Sequence, residues 1–144
     1  PGHRTMRRLV TAPYKDDEGM GCGGLLATFP DKCTAVVLAE GSPTRRREFA
    51  RAMDVLGVTR TRELGLPDGA AGADVLALAR LPDEICAELE PEELHLPFPS
   101  LHQDHIAAYE AGMRTARLAT SPGHFPRGTG RRRRWSCPTW RSAT

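Results

Sequence analysis

No stretch of the sequence stays apolar over the roughly 18 residues that a membrane-spanning helix needs, so we expect no transmembrane helix. The first residues, Pro1–Arg4, carry basic charge but are not followed by an apolar segment, so we expect no secretory signal either. The four cysteines are scattered without a CxxC pair, and their spacing indicates no disulfide framework. Together these absences predict a protein of the reducing cytoplasm.

Acidic residues are missing from the end of the chain, since Glu110 is the last carboxylate and the charged residues beyond it are arginines. Residues 119–144 are rich in proline, glycine, serine and arginine, lack apolar periodicity and include four consecutive arginines, Arg131–Arg134. This composition predicts a disordered tail. An arginine run can bind nucleic acid, but no aromatic-and-basic module accompanies this one, so we expect a solvated tail and no nucleic-acid partner.

Segments of strand and helix character alternate four times along the rest of the chain, whose length fits a single domain. This alternation is typical of an α/β fold, a three-layer sandwich with a mainly parallel sheet and crossover helices on both faces. We expect Ser42 or Thr44 to cap the second helix, Gly57 to end it, and Pro82 to start a second segment within the third. The predicted strands cover residues 8–12, 34–38, 60–64 and 93–98, and the predicted helices cover 21–29, 45–56, 74–89 and 106–118.

Acidic and histidine side chains cluster directly after two of the predicted strands. Asp16, Asp17 and Glu18 follow the first strand, and the stretch HQDH at 102–105 follows the last. Adjacent carboxylates repel one another and are stabilised by a cation or by the donors of a helix start. Because segments that follow parallel strands meet at one edge of the sheet, we expect these two loops to form one metal site, with ligands that favour zinc. The alternative for the acidic loop alone is a solvated turn, and for the histidine loop alone it is a structural histidine.

A glycine cluster after the acids supports a competing interpretation. Gly19–Gly24 satisfies the G-x-G-x-x-G pattern of dinucleotide-binding loops, and Glu40 ends the next strand, as a ribose-binding acid would. Three acids in front of the glycines would repel a pyrophosphate, which argues against a nicotinamide or flavin enzyme. The glycines alone would also let a helix pack tightly on the sheet, whatever the function.

Taken together, the motifs resemble those of the LmbE/PIG-L de-N-acetylases. The matching pieces, in the same order, are DDE running into GCGG (Asp16–Gly24), R-x-x-E-x-x-x-A-x-x-x-L-G (Arg45–Gly57), PDG (Pro67–Gly69) and H-x-D-H (His102–His105). These enzymes are Rossmann-like and zinc-dependent, and they remove acetyl groups from N-acetylglucosamine-type amides. The resemblance implies a deacetylase domain over residues 7–118, a Rossmann-like fold, bound zinc, and a small sugar or glycoconjugate as substrate.

Carried over by position, the resemblance implies a role for residues of both motifs. Asp17 and His105 would be zinc ligands, and Asp16 would be the general base for the attacking water. His102 would stabilise the tetrahedral oxyanion or protonate the leaving amine, and Asp104 would orient His102. Two further residues would lie near the substrate, Arg45 and Asp68.

One position of the metal motif departs from the family pattern. The family's motif, A/P-H-x-D-D-E, begins with a histidine ligand, and this sequence has Tyr14 there, followed by Lys15. A neutral phenol, with a reference pKa of about 10, is a poor zinc ligand. We therefore expect weakened or lost zinc binding, and the Lys15 ammonium offers another way to neutralise the acids.

The end of the chain departs from the family as well. Family members continue with further strands and helices after the H-x-D-H helix, where this sequence has its arginine-rich segment, so we expect an incomplete C-terminal part. The first expectation for function is zinc-dependent hydrolysis of an N-acetylated sugar. The alternatives are a degenerate relative that binds a sugar or a partner without hydrolysis, and a dinucleotide-binding oxidoreductase. No feature of the sequence predicts an oligomeric state.

Overall fold

The computed structural model describes residues 6–120, which form a four-stranded sheet with helices on both faces. In chain order the elements are β1 (Arg8–Ala12), α1 (Asp17–Thr28), a short 3-10 helix (Pro30–Lys32), β2 (Cys33–Ala39), α2 (Pro43–Leu56), β3 (Thr61–Leu66), α3 (Val75–Leu89), β4 (Glu93–His95) and α4 (Gln103–Thr120). All paired strands are parallel, and their order across the sheet is β3-β2-β1-β4. The predicted α/β fold, a Rossmann-like three-layer sandwich, is confirmed.

The central strands are covered by a different pair of helices on each face. β1 and β2 are buried along their whole length, as strands between two helical layers should be. On one face Val10 belongs to an apolar cluster with Leu26 of α1 and Phe49 of α2. On the other face Leu9 clusters with Ile85 of α3. This packing fixes the carboxyl end of β1, where the acidic motif begins, in the middle of the sheet edge.

Two helices begin earlier than the sequence predicts. α1 begins at Asp17 rather than at residue 21, and α4 begins at Gln103 rather than at residue 106. Both motifs therefore continue into the first turns of helices, and their prediction as loops was wrong for Asp17, Glu18, Asp104 and His105. Asp16 and His102 lie directly before the helices. The positive end of a helix dipole stabilises carboxylates in the first turn. The spacing of apolar residues does not reveal these early helix starts, because the first turns are polar.

The third helix differs from its prediction in the opposite way. α3 is continuous from Val75 to Leu89, so no second segment starts at Pro82. Buried Leu78 and Ile85 lie on either side of the proline. Their packing holds both halves in one helix, although proline lacks the N–H that would bond to the preceding turn.

The remaining boundaries agree with the prediction to within a few residues. The Ser42 hydroxyl caps α2 by accepting a hydrogen bond of 3.2 Å from the Arg45 N–H. Gly57 ends the same helix in the left-handed conformation, with φ of 76°. β4 is shorter than predicted and ends at His95, whereas β3 continues to Leu66.

The predicted tail lies almost wholly beyond the described residues. α4 extends to Thr120, so the first two residues assigned to the tail are helical. Residues 121–144, with Arg131–Arg134, lie outside the described part, and the proposed domain boundary stays a prediction. Between residues 6 and 120, no helix has the length and apolar character needed to cross a membrane.

Gly112 lets α4 pack close to the segment after β4. A Cβ atom at this position would lie 2.8 Å from Cδ1 of buried Leu96 and closer still to its Cδ2. We expect Gly112→Ala to lower the free energy of unfolding by about 1–3 kcal/mol through overpacking, measured by urea denaturation. The matched control is Gly23→Ala in α1, where nothing lies within 4 Å of the new Cβ and helix propensity predicts a small gain. Equal effects of the two substitutions would contradict the close approach.

Candidate active site at the carboxyl edge of the sheet

A cavity of about 550 Å³, lined mostly by polar and charged residues, lies at the carboxyl edge of the sheet, where parallel α/β folds bind their ligands. It is bordered by the segments that follow β1, β2 and β3 and by the first turn of α4. Residues far apart in the sequence therefore meet in one place. The residues of the predicted site that line the cavity are Tyr14, Asp16, Asp17, Arg45, Asp68, His102 and His105.

The two predicted metal ligands are in contact across the cavity. His105 Nε2, in the first turn of α4, lies 3.3 Å from Asp17 Oδ2, in the first turn of α1. The same carboxylate oxygen accepts a hydrogen bond of 3.1 Å from the backbone N–H of Tyr14. Burial raises the pKa of Asp17, and the lowering effects of His105 and the Tyr14 amide do not cancel this. A cation beside Asp17 would favour its charged form.

Tyr14 lines the same cavity as Asp17 and His105, and its hydroxyl group makes hydrogen bonds there. Its hydroxyl oxygen lies 2.6 Å from Asp104 Oδ2, 2.8 Å from Asp68 Oδ1 and 3.3 Å from His102 Nε2. Burial raises the pKa of Tyr14 well above its usual range, and the hydrogen bonds to Asp104 and Asp68 raise it further. The phenol is therefore protonated at neutral pH, and a protonated phenol is a poor metal ligand.

Asp104 is placed differently from the role that the resemblance implies. Its side chain is buried, and Oδ2 accepts hydrogen bonds from the Tyr14 hydroxyl and, at 2.9 Å, from the Gly69 N–H. Its other oxygen, Oδ1, is buried and has no hydrogen-bond partner among the residues that the structure describes. His102 Nδ1 instead accepts a hydrogen bond of 3.2 Å from the Asp104 backbone N–H. The main chain of Asp104 thus orients the imidazole, and its carboxylate holds Tyr14 and the PDG turn.

The other predicted site residues lie at the rim of the cavity. Asp16 is exposed and directly precedes α1. Arg45 lies in the first turn of α2, and its guanidinium donates a hydrogen bond of 2.9 Å to Glu48. His102 and Asp68 are exposed, and both contact the Tyr14 hydroxyl. These exposed polar groups can contact a hydrophilic ligand without a large desolvation cost.

Sequence reasoning missed the part that Lys15 takes in shaping the cavity. The side chain is buried, and its ammonium donates hydrogen bonds to the carbonyls of Ala39, at 3.0 Å, and Glu40. It also pairs with Glu63 of β3 at 3.0 Å. The ammonium therefore links the end of β2 to β3, and it pairs with Glu63 rather than with the acidic motif, which it was expected to be able to neutralise. A lysine next to three acids in the sequence gives no sign of a partner 48 residues further along.

The glycine cluster does not form a nucleotide-binding loop. Gly19–Gly24 lies inside α1, whose first residue is Asp17. A dinucleotide fold instead places its glycines in the turn before the helix, so that backbone N–H groups face the pyrophosphate. The dinucleotide-binding interpretation of this motif is therefore wrong.

The donor set for a metal ion contains two groups and lacks a third. Within residues 6–120, no three side chains from histidine, cysteine, aspartate and glutamate are grouped so that they could hold a metal ion. Asp17 and His105 have the carboxylate and imidazole chemistry that zinc prefers. Tyr14 stands where the third ligand is expected.

Comparison with protein families gives a match over most of the chain. The family model described as PIG-L, GlcNAc-PI de-N-acetylase, matches residues 9–116. Among curated proteins, the chain is 27% identical to the uncharacterized deacetylase YaiS of Escherichia coli K12, over 73% of this chain and 65% of that protein.

Solved structures with the same fold include proteins from Thermus thermophilus and Pyrococcus horikoshii. The conserved protein TT1542 from Thermus thermophilus is 29% identical, with a TM-score of 0.68 over 87% of this chain and 61% of its own. The N,N'-diacetylchitobiose deacetylase from Pyrococcus horikoshii is 18% identical, with a TM-score of 0.72 over 83% of this chain and 52% of its own. At that identity the likeness shows the fold. The chain thus spans between 52% and 65% of the length of these three relatives.

Proposed function

Because this chain belongs to the PIG-L family of GlcNAc-PI de-N-acetylases, we propose that it hydrolyses the acetamide of an N-acetylglucosamine-type sugar or glycoconjugate. The observation that carries the proposal is the meeting of Asp16, Asp17, His102 and His105 at one cavity. These residues come from two motifs more than 80 positions apart, and they supply the acid, base and ligand groups that amide hydrolysis requires.

A divalent metal ion fits part of this site. Asp17 and His105 would hold it, since their side chains already lie 3.3 Å apart and both are only partly exposed. When bound there, zinc would supply Lewis acidity to the amide carbonyl and to the attacking water. The protonated phenol of Tyr14 does not complete the ligand set, so we expect zinc to bind more weakly than at a site with three protein ligands.

The chain's own residues account for the proton transfers of the reaction. Water adds to the carbonyl carbon, and the exposed carboxylate of Asp16 at the cavity rim accepts its proton. The carbon–nitrogen bond then breaks, and His102, oriented by the Asp104 N–H, gives a proton to the departing amine. The products are acetate and a free amino sugar. Arg45 and Asp68 lie at the rim, where they would bind sugar hydroxyls.

A second candidate is a degenerate relative that binds the N-acetylated sugar and does not hydrolyse it. The observation that favours it is Tyr14, which occupies the position of a ligand and whose hydroxyl lies within hydrogen-bonding distance of two carboxylates. In this case the cavity would retain sugar affinity, and the amide would stay intact.

The test is an assay of acetate and free amine released from N-acetylglucosamine and from N,N'-diacetylchitobiose. The full chain is treated with a chelator and then assayed with and without added zinc. We expect equal amounts of acetate and amine, with release that depends on zinc. Saturable sugar binding without acetate in either condition would favour the degenerate relative. Neither binding nor release of either sugar would contradict the proposed substrate class.

A further inference from the structure

Three separate segments of the chain converge on the hydroxyl of Tyr14. Tyr14 itself follows β1, Asp68 lies in the turn after β3, and His102 and Asp104 lie at the start of α4. The hydroxyl oxygen is 2.6 Å from Asp104, 2.8 Å from Asp68 and 3.3 Å from His102. In a metal centre these distant segments would be joined through ligands that share one ion.

The turn after β3 is attached to α4 by two further hydrogen bonds. The Gly69 N–H donates to Asp104 Oδ2 at 2.9 Å, and Gln103 Nε2 donates to the Gly69 carbonyl at 3.0 Å. Gly69 has a φ of 76°, and an added Cβ would lie 3.1 Å from Gln103 Nε2. Glycine is therefore favoured for this close approach. Tyr14 and Gly69 bind the same oxygen of Asp104, so the position of the turn depends on the phenol.

We propose that the Tyr14 hydroxyl fastens the end of β1, the Asp68–Gly69 turn and the start of α4 together, and so keeps the cavity in shape without a metal ion. A single oxygen atom makes contacts that would otherwise be shared among the ligands of an ion. The inference concerns the shape of the cavity and not its chemistry, so it holds whether or not the chain hydrolyses an amide.

The hydrogen bond from Tyr14 to Asp104 is expected to be strong because Asp104 is buried. This residue is 2% exposed, and one of its carboxylate oxygens already lacks a partner among the described residues. A hydroxyl carries one hydrogen, so Tyr14 donates to one aspartate at a time, and the shorter distance belongs to Asp104. Hydrogen bonds to a charged acceptor are stronger than neutral ones. Without the hydroxyl, Gly69 N–H would be the remaining donor to a buried carboxylate, and the turn would open more often.

The test is hydrogen–deuterium exchange of the Gly69 N–H in the full chain, followed by NMR. In Tyr14→Phe we expect this amide to exchange about tenfold faster or more, the effect of losing one hydrogen bond to a charged group. Amides of β2, which is buried along its length, should keep their wild-type rates, since the opening is local. If Tyr14 contributed only to global stability, Tyr14→Phe would speed hydrogen exchange of Gly69 and of the β2 amides by the same factor.

The matched control is Tyr109→Phe, which removes the hydroxyl of the chain's other tyrosine, packed on the far face of the sheet. Asp68→Ala, at an exposed position, provides a second variant if Tyr14→Phe does not fold. It removes the competing acceptor, so Tyr14 donates to Asp104 alone and Gly69 should exchange no faster than in the wild type. A wild-type rate for Gly69 in Tyr14→Phe would overturn the proposal, and so would faster exchange in Asp68→Ala. Equal acceleration in Tyr14→Phe and Tyr109→Phe would overturn it as well.

Discussion

Replacing Asp17 with asparagine is expected to lower the hydrolysis of an N-acetylated sugar by at least about 100-fold, because losing a group that only supports a metal ligand typically costs about 10–100-fold and Asp17 would hold the ion itself. Asparagine has nearly the same shape and can still accept the hydrogen bond from the Tyr14 N–H. It lacks the negative charge that pairs with His105 and that would hold a metal ion. The substitution therefore removes the negative charge of residue 17 while its size and packing stay nearly the same.

The same substitution should not destabilise the fold. Burial raises the pKa of Asp17 in the folded chain, so its charged form is less favourable there than in the unfolded chain. The stability linked to this group is present at low pH and is lost as the pH rises through the folded pKa. At neutral pH a neutral asparagine removes that unfavourable charge, and we expect a thermal midpoint equal to or above that of the wild type.

Acetate release and thermal unfolding of Asp17→Asn would be measured beside Asp31→Asn. Asp31 lies in the 3-10 helix before β2, at the other edge of the sheet, and its side chain is 75% exposed. The control loses the same charge and should keep wild-type hydrolysis. Wild-type activity in Asp17→Asn would show that hydrolysis does not require the Asp17 carboxylate. A zinc titration of both variants gives a second readout. Equal zinc affinity in the two variants would show that Asp17 is not a zinc ligand.

The sequence predicts the sheet and its edge well, because burial leaves a clear pattern there. β2 is a continuous apolar run buried on both faces, and its prediction differs from the structure by one residue at each end. Once the strands are known to be parallel, the rule that strand ends share one edge places Asp17 and His105 together. Topology thus accounts for their presence at the same edge, where the structure places their side chains 3.3 Å apart.

The hydrogen bonds inside the site could not be predicted in the same way. The partners of Asp104 are a tyrosine 90 positions before it and a backbone N–H of a glycine 35 positions before it. Such contacts depend on the exact distances at which two helix starts and a turn approach one another. Neither periodicity nor composition reports those distances. Asp16, Asp17, His102 and His105 line one cavity, whereas the carboxylate of Asp104 accepts a hydrogen bond from Tyr14 and not from His102.

Replacing Tyr14 with histidine is expected to raise zinc affinity by at least about 10–100-fold. That range is typical for the loss of a partner that only supports a ligand, and a direct ligand should contribute more. A neutral imidazole would join Asp17 and His105 and complete a set of three protein ligands. The wild-type phenol cannot do so, because burial and the carboxylates of Asp104 and Asp68 raise its pKa and keep it protonated.

The measurement is a zinc titration by competition with a chromogenic chelator, with the thermal midpoint recorded in parallel. A ligand that binds only the folded chain adds about 2.7 kcal/mol of stability at 100 times its dissociation constant. Zinc should therefore raise the midpoint of Tyr14→His by several degrees, and by less in the wild type at the same concentration. Removing zinc with a chelator should reverse the shift.

Tyr109→His is the control, because it introduces a histidine into α4 at a position that packs against the core and does not line the cavity. Its zinc isotherm should equal that of the wild type. Without zinc, Tyr14→His loses the contacts of the hydroxyl with Asp68 and Asp104, so its apo form should be less stable than the wild type. An isotherm unchanged by Tyr14→His would mean that residue 14 does not face the metal position. Tighter zinc binding combined with a less stable apo form would mean that the tyrosine and a metal ion are alternative ways of closing the same site.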